Sequence, residues 1–321
     1  MNKGRYRIPL LVGACLALAI PAVLPWLAGS YLLVWVFLLG VYLTLAVSYD
    51  IVGGSMGYMN LGHSTFFGVG AYTTAILLNQ GHHLGLCLAA AGVVAAALAA
   101  LVSYPIFRLR GAYFALATFG LISLMGILGN NLRDLTGGAG GISTPSGDHT
   151  VTSYYLSVAV SIATVGLNLG LSRSRFGLAL LSIREDEEVA RALGTPTTLY
   201  KSLALIVSSV PAGLIGGVYV WSVTYISPPA VFGLEIALSP IVMAMLGGTG
   251  TVMGPVIGVF FLTLLQEFLW TQIPYLHLTM YGVVMVLVGL FMPGGLVRTR
   301  LFGLVIQRFV PGDKAHYQGE P

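Results

Sequence analysis

Charge is scarce in this 321-residue chain, because only 8% of its residues are charged while 56% are hydrophobic. A chain of this size with so little polar side-chain material cannot cover a globule in water. Its apolar runs are long, whereas a transmembrane β-barrel would show short alternating segments. The composition therefore predicts an all-α polytopic membrane protein.

Sequence signals of catalysis and of metal binding are also missing. The two cysteines, Cys15 and Cys87, are far apart and provide neither a disulfide framework nor a zinc-ligand spacing. The glycine-rich residues 137–141 lack the Gly-Lys-Ser/Thr ending of a phosphate-binding loop. The HExxH and GxSxG patterns do not occur either. We therefore expect no catalytic residue, no metal site and no cofactor on this chain.

Apolar stretches near the ~20 residues that cross a bilayer recur along the whole chain. The sequence predicts ten of them, at Ile8–Ala28, Tyr31–Ile51, Ser64–Leu78, Leu84–Phe107, Ala112–Asn130, Thr152–Leu171, Ser202–Tyr225, Leu234–Leu246, Met253–Ile273 and Leu276–Met292. Two are short, Ser64–Leu78 and Leu234–Leu246, and each abuts a glycine-rich turn. Short spans of this kind are candidates for broken or re-entrant helices. We therefore expect about eight to ten transmembrane helices.

The basic residues fall on one side when ten spans are threaded from a cytoplasmic N-terminus. Fourteen of the fifteen Lys and Arg residues then lie inside, and only Arg133 lies outside. Because cytoplasmic loops carry such an excess, both termini are expected in the cytoplasm. The predicted organisation is an N-terminal helix in residues 1–30, a main transmembrane domain in residues 31–296 and a cytoplasmic tail in residues 297–321.

Nine charged residues are concentrated in the thirty residues from Ser172 to Lys201. Ser182 and Glu185 have the spacing of a capping box, which predicts that a helix begins there. Gly194 predicts a left-handed helix end. The pattern indicates a cytoplasmic helix from Ile183 to Leu193, too short to span a bilayer. Such an element suits contact with a soluble partner, although a solvated link between two spans is the alternative.

The charged segment also carries a short motif, because Glu188, Ala190 and Gly194 match the E-x-A-x-x-x-G core of the cytoplasmic loop in permease subunits of ABC importers. Residues 57–72 read GYMNLGHSTFFGVGAY. This stretch resembles the G-x-x-S-L-G-H-x-x-F-F-G-x-G-A-Y motif of branched-chain amino acid permeases of the LivH/LivM type. Asn60 stands where many members have serine.

Two further stretches extend the resemblance to the LivH/LivM family, at residues 183–228 and residues 246–296. The second contains Gly247-Gly248-Thr249-Gly250, Gly254-Pro255 and Pro293-Gly294-Gly295-Leu296. The charged loop has an Arg184-Glu185-Asp186 form, which favours the LivM side. The match covers the chain from about residue 48 to residue 296.

The resemblance implies a transmembrane permease subunit of an ATP-driven importer in the bacterial inner membrane, for branched-chain or related small amino acids. The implied partners are a homologous LivH-like permease, two cytoplasmic ATPase subunits that bind ATP and Mg²⁺, an extracytoplasmic solute-binding protein and membrane lipid, but no nucleic acid. The loop of residues 172–201 would dock on the ATPase. The coupling residues implied are Arg184, Glu185, Asp186, Glu187, Glu188, Ala190, Arg191 and Gly194.

The glycine turns supply candidates for a translocation path or a broken helix. These candidates are Gly57, Asn60, Gly62, His63, Gly247, Gly248 and Gly250. His63 suits either a ligand or proton relay, or a structural bond to freed backbone. Among the acids, Asp50 and Glu235 fall at span ends, where charge costs little, whereas Glu267 lies inside a span and needs a partner.

Three other functions are compatible with parts of this pattern. Urea and short-chain amide ABC permeases are close relatives of the family that the motifs resemble. An ion-coupled secondary transporter would need buried ionisable groups along its path, for which the chain offers chiefly Glu267 and His63. A channel could use the glycine turns as a filter.

Overall fold

The computed structural model describes residues 29–272 except 146, together with residues 279, 282, 283, 286 and 295. The predicted span Ile8–Ala28 and the tail 297–321 lie outside the described residues, as does the span Leu276–Met292 apart from four positions. In the described part the elements are α1 (Ser30–Gly53), α2 (Ser64–Asn79), α3 (Leu84–Ile106), α4 (Ala112–Asn131), α5 (Arg133–Thr136), a 3-10 turn (Gly138–Gly140), β1 (Ile142–Ser143), α6 (Thr150–Ser172), α7 (Arg175–Glu185), α8 (Glu187–Ala192), α9 (Thr197–Val223), β2 (Tyr225–Ile226), α10 (Pro228–Phe232), α11 (Leu234–Gly247) and α12 (Met253–Gln272).

Six helical segments of this part are long and apolar enough to cross a membrane: α1, α3, α4, α6, α9 and the combined stretch Pro228–Gly247. Helices α2 and α12 fall on two of the remaining predicted spans, Ser64–Leu78 and Met253–Ile273. The all-α polytopic prediction is therefore confirmed. The strands contribute only two residues each.

Helix α9 lies at the centre of the bundle, packed against α3, α2, α1 and α6. Its contact with α2 is close, since a Cβ on Gly216 would lie 2.0 Å from the Phe67 carbonyl oxygen and one on Gly70 would lie 2.1 Å from the Gly213 carbonyl oxygen. Lipid gives helices no hydrophobic drive to associate, so small residues that let backbones approach stabilise the packing instead. A second cluster joins α11 and α12 to α1, with Tyr49 among its buried residues.

One end of the bundle, which we call the charged end, contains α7, α8, the C-terminal end of α1 and the N-terminal end of α9. Arg184 contacts Gly54 there, and Lys201 contacts Glu187. At the opposite end, β1 pairs antiparallel with β2, and the Asn79 side chain donates to the Ser143 carbonyl at 2.8 Å. The loop of residues 131–151, which contains β1, and the segment of residues 227–235, which follows β2, therefore lie at the same end of the bundle.

Helix α2 begins inside the bundle and not at its end. The Leu61 amide donates to Thr118 Oγ1 at 3.1 Å, and Thr118 lies six residues into α4, about 9 Å along its axis. The chain between Gly54 and His63 therefore enters the bundle from the charged end as non-helical backbone. A similar break separates α10 from α11, where Gly233 is extended (φ −70°, ψ 158°). Both short predicted spans follow such interruptions, as broken helices do.

Candidate functional site

The charged segment forms two short helices, so the single helix predicted from Ile183 to Leu193 is wrong. Ser182 is not an N-cap, because it lies in the last part of α7 and its hydroxyl donates back to the Ala179 carbonyl at 2.8 Å. Helix α7 instead begins after Ser174, whose Oγ accepts the Gly177 amide at 3.3 Å. A Ser-x-x-Glu spacing also fits a helix interior, where serine bonds to its own preceding turn.

Asp186 makes the break and starts the second helix. Its backbone is extended (φ −158°, ψ 110°), and its Oδ1 accepts the amides of Glu188 and Val189 at 2.8 and 3.0 Å. Asp caps a helix as well as Ser does, and its negative charge suits the positive helix end. The coupling candidates Arg184 and Glu185 therefore lie in the last turn of α7, whereas the later ones lie in α8 or at its two ends.

Gly194 ends α8 as predicted. Its φ is +90°, its amide donates to the Arg191 carbonyl at 3.0 Å, and the Thr195 amide donates to the Ala190 carbonyl at 3.0 Å. These two bonds form a Schellman motif, which needs a left-handed residue. The backbone conformation thus explains the glycine of the E-x-A-x-x-x-G pattern, and burial in the packed interior explains the small side chain of Ala190.

Glu187 is the centre of a polar cluster that holds α8 on the bundle. Its Oε1 lies 2.8 Å from Lys201 Nζ and 2.8 Å from Arg191 Nη2, and its Oε2 accepts the Tyr58 hydroxyl. Arg110 Nε is 4.0 Å from the same Oε2. The bonds connect α8 to α9, to the segment before α2 and to the segment before α4. Helix α8 is therefore tied to three parts of the chain through one carboxylate.

Burial by itself would raise the pKa of Glu187, but hydrogen bonds from Lys201 and Tyr58 and the positive charges of Lys201 and Arg110 outweigh it. The pKa of Glu187 consequently lies below its ordinary value. Burial, together with the bond to Glu187 and its charge, raises the pKa of Tyr58. At neutral pH the cluster therefore pairs an ionised carboxylate with a protonated phenol.

Lys201 is the buried cation of the cluster, with a side chain only 2% exposed. Besides Glu187, its ammonium lies 3.3 Å from the Tyr58 hydroxyl and 3.5 Å from the Phe107 carbonyl oxygen. It also lies 5.0 Å from the centre of the Tyr58 ring and 5.5 Å from that of Phe107. A buried charge is stable only when it is paired in this way.

An apolar cleft lies between α7 and α8, and Glu187 is not among its lining residues. The cleft has a volume of about 390 Å³ and is lined by Leu178, Leu181, Ser182, Glu185, Asp186, Val189, Ala190 and Leu193. Leu193 is 82% exposed, and Leu178 and Val189 are also exposed. Two of the lining residues, Glu185 and Asp186, are acidic. The charged end thus presents exposed apolar side chains with an acidic rim.

Arg184 points to the glycine turns and not to the cleft. Its Nη1 donates to the Gly54 carbonyl at 2.7 Å. The Gly250 amide donates to Asp50 Oδ1 at 2.8 Å, so the turn after α11 is bonded to the end of α1. Asp50 lies near a span end as predicted, but its side chain is buried and is not in contact with water.

The remaining path candidates lie at two levels. Gly57 and Gly250, both with positive φ, are at the charged end with Gly247 and Gly248, where a Cβ on Gly247 would lie 1.7 Å from the Gly254 carbonyl oxygen. Deeper in the bundle are three buried candidates: Asn60, Gly62 and His63. The structure therefore does not bring all seven residues together.

His63 is buried and has one partner, since its Nε2 lies 2.8 Å from Ser48 Oγ while its Nδ1 has none. The Asn60 Oδ1 accepts the Gly62 amide at 3.0 Å and its Nδ2 is unpaired. The bonds to Ser48 and Gly62 fit the structural interpretation of this segment. The unpaired buried nitrogens retain the capacity to bind a polar group.

Two further acids, Glu267 and Glu235, lie on α12 and α11. Glu267 on α12 has the partner that its position requires, because its Oε1 accepts the Tyr31 hydroxyl. Glu235 lies in the first turn of α11, where a negative charge suits the helix dipole. Within the described part of the chain, no group of three or more His, Cys, Asp or Glu residues could hold a metal ion.

Sequence reasoning missed the partners of Glu187 and the role of Asp50. A signal for Lys201 was available, because it is the one lysine in residues 29–272 and directly precedes the predicted apolar span from Ser202. Tyr58 and Arg110 carry no such signal. They reach Glu187 across 129 and 77 positions of sequence, a distance that only the fold closes.

Residues 31–289 match the family described as the branched-chain amino acid transport system / permease component. The high-affinity branched-chain amino acid transport system permease protein LivM of Salmonella typhimurium is 30% identical over 291 residues, which cover 80% of this chain and 68% of that protein. LivH of Escherichia coli is 26% identical over 284 residues, which cover 80% of this chain and 91% of that protein.

A local similarity also exists to the autoinducer 2 import system permease protein LsrC of Photorhabdus laumondii, which is 35% identical over 97 residues, 29% of each chain. No solved structure matches this chain. The family match covers most of the chain and includes both glycine turns and the charged segment. The chain therefore belongs to the branched-chain amino acid transport system / permease component family.

Proposed function

We propose that this protein is a transmembrane permease subunit of an ATP-driven importer for branched-chain or related small amino acids. It forms the translocation path with a homologous LivH-like permease. Two ATPase subunits bind ATP and Mg²⁺ and attach at the charged end, while a solute-binding protein delivers the substrate at the opposite end. The chain itself needs no cofactor and catalyses no reaction. The observation that carries this proposal is the α7–α8 element.

The α7–α8 element suits the docking of a soluble partner for two reasons. Its exposed side offers Leu178, Val189 and Leu193 around a cleft, and contiguous exposed apolar groups with a polar rim are typical of protein contacts. Its inner side is fixed to the bundle through Glu187. A force applied to the cleft would therefore move the bundle and not only a loop.

The charge distribution supports an orientation in which the charged end lies in the cytoplasm. Positions 108–201 contain eight Lys and Arg residues. Seven of them belong to the charged end or to the loops and helix ends that adjoin it, and Arg133 lies at the opposite end. Because cytoplasmic loops carry an excess of Lys and Arg, the charged end faces the cytoplasm, where the ATPase subunits lie, and the chain lies in the bacterial inner membrane. The paired strands β1 and β2 then face the solute-binding protein.

The path is proposed to run beside the re-entrant segment of residues 54–63 and the turn of residues 247–250. Interrupted helices expose backbone groups that can bind substrate inside a transporter. The unpaired Nδ1 of His63 and Nδ2 of Asn60 support a polar contact at that depth. Alternating access would arise when ATP-driven closure of the ATPases shifts α7 and α8.

The docking surface is tested by Leu193→Glu, which places a charge at the edge of the cleft without disturbing a buried side chain. We expect normal membrane insertion and a loss of ATPase co-purification, since exposed substitutions have little effect on folding while charge in an apolar contact weakens binding. The measurement is the amount of ATPase subunit recovered with tagged permease in detergent.

Leu135→Glu is the matched control, because Leu135 is 55% exposed on α5 at the opposite end. Equal ATPase recovery from both variants and the unchanged protein would contradict the docking role. Transport by the purified chain alone, without any ATPase, would support the secondary-transporter alternative instead. Uptake of urea and not leucine by the assembled transporter would transfer the substrate assignment to the amide branch.

A further inference from the structure

Arg184 links the α7–α8 element to the two glycine turns through contacts that do not involve Glu187. Arg184 ends α7, and its Nη1 donates to the Gly54 carbonyl at 2.7 Å. Gly54 directly follows α1. A hydrogen bond from a guanidinium to a carbonyl is charge-assisted and directional, so it holds the turn in a defined position.

The same arginine lies where the two turns meet. Asp50, in the last turn of α1, accepts the Gly250 amide at 2.8 Å through its side chain and the Gly54 amide at 2.9 Å through its carbonyl. A Cβ on Gly250 would lie 2.3 Å from Arg184 Nη1, and one on Gly57 would lie 3.0 Å from Arg184 Cγ. The side chain of Arg184 fits between the turns because both lack a Cβ at these positions.

We propose that Arg184 is a positioning residue that transmits movement of the α7–α8 element to the glycine turns after α1 and after α11. The inference rests on the proposed function, because it assumes that an ATPase moves α7 and α8. Glu187 fixes α8 to α9 and, through Tyr58, to the middle of the re-entrant segment, whereas Arg184 is the contact from α7 to Gly54, where that segment begins. Loss of Arg184 leaves the docking surface and the Tyr58–Glu187 bond in place but removes the direct contact of α7 with Gly54 and Gly250.

The first experiment compares Arg184→Gln with Arg175→Gln in the assembled transporter reconstituted in liposomes. Arg175 is an exposed residue of the same helix, so the charge change is matched. Radiolabelled leucine uptake and ATP hydrolysis are measured on the same preparation, with ATPase recovery as the assembly control. For Arg184→Gln we expect normal assembly and about a fivefold or larger fall in leucine imported per ATP, the lower range of coupling between sites. Arg175→Gln should keep the unchanged ratio.

The second experiment replaces the arginine contact with a covalent bond. A Cβ on Gly57 would lie 3.7 Å from Arg184 Cβ, and a disulfide needs a Cβ–Cβ distance of about 3.5–4.5 Å. The variant Gly57→Cys/Arg184→Cys is made in a Cys15→Ser/Cys87→Ser background. The reduced form should import little leucine per ATP. Oxidation by added copper phenanthroline removes two electrons and two protons from the thiols and forms one S–S bond. The oxidised form should recover the ratio of leucine to ATP. Because both states carry the same substitutions, strain at Gly57 cannot explain a difference.

The outcomes separate this inference from the proposed function. An Arg184→Gln ratio equal to that of Arg175→Gln, or an oxidised double variant no better coupled than the reduced one, overturns the role of Arg184. Failure of the unchanged protein to bind the ATPase overturns the proposed function instead. If leucine is not the substrate, stimulation of ATP hydrolysis by the loaded binding protein replaces uptake as the readout, with the same expected losses. If Arg184→Gln does not insert, the two redox states of the double variant decide alone.

Discussion

Neutralising Glu187 should destabilise the protein more than neutralising Lys201, although the two residues form one ion pair. The Lys201 side chain is 2% exposed, and Glu187 is the one carboxylate within 4.0 Å of its ammonium among the described residues. Glu187→Gln therefore leaves a buried cation without a counter-charge. Breaking a buried pair in this way costs about 3–5 kcal/mol, and we expect the lower end because the glutamine oxygen can still accept a hydrogen bond.

Lys201→Met should cost less, because Glu187 keeps other partners. Arg191 remains at 2.8 Å, Arg110 at 4.0 Å, and the Tyr58 hydroxyl still donates. Methionine fills the space of the lysine stem, so the main loss is one hydrogen bond to a charged group, about 1.5–3 kcal/mol. We expect a value near 2 kcal/mol within that range.

The assay is an unfolding titration of the permease with sodium dodecyl sulfate in mixed micelles, followed by tryptophan fluorescence. Glu188→Gln is the control, because Glu188 is 77% exposed and its pair with Arg110 should contribute at most about 1 kcal/mol. The double variant Glu187→Gln/Lys201→Met should be less destabilised than the sum of its parts, since residues in contact are coupled. Additive losses, or a larger loss for Lys201→Met, would refute the assignment of Glu187 as the counter-charge.

Four further predictions concern pH, the ends of α8 and helix packing. The pKa of Glu187 is held below its ordinary value of 4.5, so its stabilisation is complete above that pH and is lost as pH falls through the lower folded-state value. The melting temperatures of the unchanged protein and Glu187→Gln should therefore converge in acid, and a constant difference down to pH ~3 would contradict this. Asp186→Ala removes the cap of α8 and should cost about 0.5–2 kcal/mol in the same titration, whereas Asp186→Asn should cost little. Gly194→Ala places a side chain at φ +90°, so it should cost about 1–2 kcal/mol despite open space around it, and Gly194→Asn should cost less. Gly216→Ala should sharply reduce the monodisperse fraction in size-exclusion chromatography, because its Cβ would meet the Phe67 carbonyl, whereas Gly120→Ala, which has open space, should not.

The positions of the helices could be predicted from the sequence because lipid imposes a simple length and hydrophobicity requirement. Broken helices could also be anticipated, because Ser64–Leu78 and Leu234–Leu246 are both too short to span a bilayer. A glycine-rich turn precedes the first segment, and another follows the second. These signals are local. They depend on composition within about twenty residues, which the chain fixes before any tertiary contact forms.

The internal boundary of the charged segment could not be predicted in the same way. Ser182 and Asp186 are both good N-cap residues, and the choice between them depends on where α7 begins, at Ser174, and on the bonds that fix Glu187. The partners of Glu187 are distant in sequence. Tertiary contacts therefore decide the site, while local pattern decides the helices.

Helix α9 has a mechanical consequence because it reaches both ends of the protein. It is 27 residues long, about 40 Å, and runs from Thr197, one turn before the buried Lys201, to Val223, two positions before β2 begins. Pro211 interrupts its hydrogen bonding near the midpoint, which marks the place where the rod can bend. A displacement of α8 would move the N-terminal end of α9 through the Glu187–Lys201 ion pair. The strands β1 and β2, which follow the C-terminal end of α9, would then tilt with the helix. One helix can thus transmit a movement from the charged end of the bundle to the opposite end.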